Sequence, residues 1–152
     1  MSIDAPSSAR QLADDAFSSG LYCAESVVVA IARSQGIESE LLPKIATAFC
    51  SGMARTCGTC GALTGAMMGI SLALGRSRAL EPVQSCYEAT QRLVADFESC
   101  FGARDCHMLL GCDLGTPEGQ AIFREQKLGT RCRTYTAKAA GIAARILAHT
   151  KP

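Results

Sequence analysis

Apolar residues along this chain recur at three- and four-residue intervals, the spacing of amphipathic helices. Ala9, Leu12, Ala13, Ala16 and Phe17 form a first stripe. They predict a helix capped by Ser7 or Ser8 that runs to about residue 18, with Gly20 as its stop. Residues 21 to about 35 read as a second helix ended by Gly36, although Val27, Val28 and Val29 carry strand propensity and leave a strand as the alternative there. A third helix is expected from Leu41 to about Phe49, with Pro43 in its first turn. The stretch 50–59 then reads as a loop. Val83, Cys86, Tyr87, Thr90, Leu93, Val94, Phe97 and Phe101 make one stripe of a longer helix that opens at Glu81-Pro82 and ends at Gly102. A short helical turn at Cys106 is capped by Asp105 or a neighbour. Thr116-Pro117-Glu118 joins a cap, a first-turn proline and a first-turn acid, so a helix should run from there to about Lys127 and stop near Gly129. The last helix is expected from about Arg131 to Ala148.

Between these lies the segment around which the chain is organised, Phe49 to Gly75, whose helical part begins at Cys60. From there its residues are small or aliphatic, and glycine recurs at 61, 65 and 69. On a helix that spacing makes one face flat enough for another backbone to approach. Each glycine costs about 1 kcal/mol relative to alanine, so close packing must offset it. Thr59 is the expected N-cap. Thr64 and Ser71 interrupt the apolar run, which is too short for a membrane span. The fold class is therefore all-α: a single domain over 1–152, a bundle of about six to seven helices around a Gly-rich central helix.

Composition narrows the partners. A net charge of +1 and the absence of basic runs give no reason to expect nucleic acid. The polar, acidic N-terminus does not read as a signal peptide, so a cytoplasmic protein is expected, with no membrane partner. Nine cysteines, an odd number, do not read as a disulfide framework in a reducing compartment. Metal ligation, redox cycling and simple burial remain.

The chemistry sits in those cysteines. Cys57-Gly58-Thr59-Cys60 is a Cys-x-x-Cys pair, and Cys60 opens the central helix. A helix N-terminus stabilises a thiolate, so the Cys60 pKa is expected to fall. Cys23, Cys60, Cys106 and Cys132 all lie at or near expected helix starts, on four different segments that a bundle can bring to one point. Arg55, Arg131 and Arg133 are cations placed to compensate anionic sulfur. Cys86 belongs to a core stripe, and Cys100 and Cys112 have no assigned role. His107 reads as a surface histidine with its hydrogen bonds satisfied rather than as a ligand or relay.

The hexapeptide Cys60-Gly61-Ala62-Leu63-Thr64-Gly65 resembles the core motif of the C_GCAxxG_C_C family, whose members are described as redox-active. Cys23 in Tyr-Cys-Ala-Glu-Ser-Val matches the family's first cysteine. Cys106, within Asp-Cys-His-Met-Leu-Leu-Gly-Cys-Asp-Leu-Gly-Thr-Pro-Glu-Gly, matches the third, and Cys132 the fourth. The resemblance covers nearly the whole chain and implies an all-helical fold with a four-cysteine redox or metal centre. The chain departs from the pattern before the motif, where the family's loop is richer in glycine and this one carries Cys50 and Cys57.

The leading expectation is a metal centre on Cys23, Cys60, Cys106 and Cys132. Four thiolates suit an iron–sulfur cluster for electron transfer or sensing, or alternatively zinc or copper. The first alternative is a cofactor-free thiol–disulfide oxidoreductase with Cys57 and Cys60 as its catalytic pair. Others are a soft-metal storage protein and a helical interaction protein with incidental cysteines. A redox partner protein is expected and not identified, and whether the protein is an enzyme is left open. The glycine face could pack within the chain, the default, or across a homodimer.

Overall fold

The structure, a computed structural model, describes residues 4–150. Its elements are α1 (Ala5–Ser18), α2 (Cys23–Ser34), α3 (Leu41–Ala46), a 3-10 turn (Thr47–Phe49), α4 (Cys50–Arg55), α5 (Gly61–Leu74), α6 (Gln84–Phe101), α7 (Cys106–Leu110), α8 (Pro117–Glu125) and α9 (Gly129–Ala148). No strand occurs among the described residues, and the three valines are helical within α2. Burial on both sides explains this: Val27 and Val28 face the core while their neighbours continue a helical stripe. The all-α expectation holds. Among the described residues no helix is long and apolar enough to cross a membrane.

Several boundaries move. The first helix starts at Ala5, with Asp4 at the N-cap position and proline in the first turn, and Ser7 donates to the Asp4 carboxylate instead of capping. The third helix tightens into a 3-10 turn after Ala46. The long helix begins at Gln84, beyond Pro82. Thr116 caps α8 as expected, accepting from the Gly119 amide at 2.9 Å. That helix stops at Glu125, before Lys127 turns left-handed at φ 53°. The last helix starts at Gly129, so Cys132 lies at the end of its first turn.

Helices α2, α5 and α9 pack against one another at the centre. Helix α1 covers α2 and α9, and α6 covers α5 and α9. Val27, Val28, Ile31, Leu63, Ile70, Leu93 and Phe97 are fully buried between them. Burying one such side chain contributes about 1.5–3 kcal/mol. The glycine face of α5 is spent on α2. A Cβ at Gly65 would lie 2.5 Å from the Ala24 carbonyl oxygen, and one at Gly69 would lie 2.6 Å from Ile31. These contacts are within the chain, as the internal packing of that face requires.

Candidate functional site

The segment that reads as a loop in sequence is a left-handed turn. Ser51, Gly52, Met53 and Ala54 have φ of 56°, 63°, 56° and 60°, and Arg55 and Cys57 are also positive. For residues other than glycine this conformation costs about 1–2 kcal/mol each, so tertiary contacts must impose it. Gly52 shows how. A Cβ there would lie 2.5 Å from the Cys106 Cβ, so the turn is wound tightly against the start of α7. The Gly52 carbonyl accepts from the amides of Thr56 and Gly58, at 3.3 and 3.0 Å. The chain then runs antiparallel to residues 104–106. The Cys60 amide donates to the Arg104 carbonyl at 2.8 Å, and the Cys106 amide to the Gly58 carbonyl at 2.9 Å. Thr59 pairs with Asp105 in this bridge, and Cys60 takes the N-cap position expected of Thr59. Backbone bonds thus fix two cysteines from distant segments beside each other.

Relief of strain in the turn predicts a stabilising substitution. Ala54 is exposed, so Ala54→Gly changes little beyond its left-handed backbone. We expect about 1 kcal/mol of added stability, read from urea unfolding. A loss of stability would mean that Ala54 is not left-handed in solution.

Cys23, Cys60, Cys106 and Cys132 line one cavity of about 430 Å³. Cys23 is the first residue of α2, Cys106 the first of α7, and Cys60 the cap of α5. The rest of the wall is mainly apolar, including Phe17, Leu109, Leu110, Leu114 and Phe123. Tyr135 holds α7 against α9 by donating to the Leu109 carbonyl at 3.2 Å, and it stacks edge-on with Phe101 at 4.8 Å. Among the described residues no three His, Cys, Asp or Glu side chains stand close enough together to hold one metal ion.

The other candidates separate. Cys57 is exposed and outside the cavity lining, near the Asp113 carboxylate. The structure therefore sets Cys57 on the surface and Cys60 in the cavity wall. Cys50 and Cys112 are buried outside the lining, Cys86 is buried with its sulfur 3.8 Å from the Ser71 hydroxyl, and Cys100 is exposed. Arg55 lines the cavity, while Arg133 is paired with Asp14 and Arg131 lies outside the lining. Arg124, which sequence reasoning missed, lines it too. Its only sequence signal is its place one turn after Gln120 on α8, and Gln120 shares the lining. Neither Arg55 nor Arg124 forms a salt bridge among the described residues. His107 is half-buried, and its Nδ1 is buried with no hydrogen-bond partner, contrary to the satisfied surface histidine expected.

The Cys60, Cys106 and Cys132 thiols are held neutral, and for Cys60 the sequence expectation is corrected. Burial pushes the Cys60 thiol up to about 11, although the Ala62 and Leu63 amides at the helix start pull the other way. Loss of hydration outweighs the helix terminus because the sulfur is almost fully enclosed. Burial, then the nearby Cys60, Cys112 and Cys57 thiols, pushes Cys106 up to about 12. Burial, then Cys106 and Cys112, does the same to Cys132, also to about 12. Cys57 and Asp113 shift apart: the carboxylate raises the thiol, while the Gly115 amide and then the thiol lower the carboxyl.

These shifts fix the sign of an alkaline effect. An unfolded cysteine ionises near 9.0, and the folded thiols do so near 11 to 12. The stability they contribute is complete below about pH 9 and is lost as pH rises through the folded values. The melting temperature of the metal-free chain should fall between pH 9 and 11, and less steeply in Cys132→Ser. A flat profile over that range would show that the thiols are not enclosed.

No curated protein and no solved structure matches the chain. A family profile described as "Putative redox-active protein (C_GCAxxG_C_C)" matches residues 21–146. All four cavity cysteines fall within that match, and the chain belongs to the C_GCAxxG_C_C family.

Proposed function

We propose that Cys23, Cys60, Cys106 and Cys132 hold an iron–sulfur cluster in the cavity and that the protein uses it for electron transfer or sensing in the cytoplasm, with a partner protein. The observation that carries this reading is that four cysteines from four separate elements line one cavity. The donor set fits the group, since soft thiolates are the usual ligands of such clusters. Mononuclear zinc has no preformed site among the described residues. A single tetrahedral ion needs all its sulfurs about 2.3 Å from one point, and no three donors stand so close.

When bound, the cluster would supply reversible one-electron chemistry. The chain's own residues set the conditions. Leu109, Leu110, Leu114 and Phe123 give the cavity an apolar lining. Arg55 and Arg124 place positive charge in its lining, opposite to that of ligated thiolates. The Cys60, Cys106 and Cys132 thiols are protonated near neutrality, so ligation must release their protons, and uptake should weaken as pH falls.

The test is anaerobic purification followed by iron and acid-labile sulfide analysis with a visible spectrum. Iron, sulfide and charge-transfer bands are the expected result. A colourless protein that takes up no iron, zinc or copper on reconstitution would overturn the reading and turn attention to thiol exchange at Cys57 and Cys60.

A further inference from the structure

Cys50 is outside the four-cysteine pattern and outside the cavity lining, yet it sits directly behind one of the lining thiols. Cys50 is 3% exposed and Cys23 is 8% exposed. The Cys23 sulfur lies 2.2 Å, and the Cys50 Cα 3.0 Å, from the point that a Cβ on Gly61 would occupy. The missing Cβ of Gly61 is therefore the gap in which these two residues meet. The two thiols are close enough for Cys23 to act on Cys50, and the Ala24 and Glu25 amides at the start of α2 act on the Cys50 sulfur as well. The Cys50 thiol has one further contact, with the Ala46 carbonyl at 3.7 Å. Bridging two cysteines needs Cα atoms within about 7 Å and converging Cβ directions, and the shared gap at Gly61 brings this pair together.

We propose that Cys23 and Cys50 form a reversible disulfide, with a small-molecule disulfide as the oxidant. Cys23 is the entry point because it faces the cavity. Its sulfur attacks the small disulfide, whose S–S bond breaks, and one thiol leaves. The Cys50 sulfur then attacks Cys23, and the second thiol leaves. The protein pair loses two electrons and two protons, and the small disulfide gains both and departs as two thiols. The pairing stands on the contact alone. Its consequence, that oxidation withdraws Cys23 from the metal centre, rests on the function proposed above.

The test treats the chelated full chain with excess glutathione disulfide, alkylates free thiols under denaturing conditions and digests with trypsin without reduction. Trypsin leaves Cys23 as the sole cysteine of residues 11–33 and Cys50 as the sole cysteine of residues 45–55. Both peptides should be lost together and reappear as one species with their combined mass less two hydrogens. Dithiothreitol should restore both. Cys50→Ser should abolish the species, and Cys57→Ser should leave it unchanged. Recovery of the two peptides separately, or a bridge from Cys23 to another cysteine, overturns the pairing, whatever the chain does with metal. A bridge that forms while iron uptake stays intact supports the pairing and removes Cys23 from the proposed ligand set. A bridge that lowers uptake at least tenfold supports both.

Discussion

Cys132→Ser should abolish iron and sulfide incorporation, whereas Cys57→Ser should leave both unchanged. The two cysteines differ in position. Cys132 lines the cavity from α9, and Cys57 is on the surface against Asp113. Changes to the outer shell of a metal site typically lower affinity by about 10–100-fold. Loss of a thiolate ligand should cost at least as much, so iron per chain should drop by ~10-fold or more. Cys132 is only partly buried, so the serine variant should keep its helical circular dichroism, which separates loss of a ligand from loss of fold. The opposite pattern, with Cys57→Ser abolishing a dithiol activity and Cys132→Ser silent, would place the chemistry at the Cys-x-x-Cys pair. If Cys23→Ser and Cys132→Ser both left every spectroscopic and redox property unchanged, the convergent centre would be wrong.

Gly52→Ala should be strongly damaging to the site. Two effects add. Alanine at φ 63° pays the left-handed penalty of about 1–2 kcal/mol. Its Cβ would also lie 2.5 Å from the Cys106 Cβ, an atom that no side-chain rotation can move. Overpacking of this kind costs about 1–3 kcal/mol. A total near ~3 kcal/mol should lower the melting temperature by on the order of 10 °C in a chain of this size. Displacing Cys106 should reduce metal incorporation as well. Ala54→Gly in the same turn carries the opposite sign, so the two variants together test the turn itself. Equal stability of Gly52→Ala and the parent would show that the turn is not wound against α7.

The helices were readable from sequence because their cause is local. Three- and four-residue apolar spacing, the Thr116-Pro117-Glu118 start and the glycine stop at 102 depend on near neighbours, and the structure keeps them within a few residues. Boundaries slipped where a distant partner decided them. Cys60 took the cap from Thr59 because residues 58–60 pair with residues 104–106.

The candidate site divides in the same way. Sequence alone marked Cys23, Cys60, Cys106 and Cys132, because each lies at or near a helix start, and the glycine spacing at 61, 65 and 69 marked the close contact of α5. Sequence could not show that the four thiols share a cavity, that Arg124 joins them or that Cys50 lies against Cys23. Nor could it show the left-handed turn, whose unfavourable backbone is held by contact with α7. The direction of the Cys60 pKa is the clearest case. A helix terminus can be read from neighbouring residues and predicts a low value, but hydration depends on what the rest of the chain places over the sulfur. Only the tertiary structure determines that enclosure, and it reverses the sign.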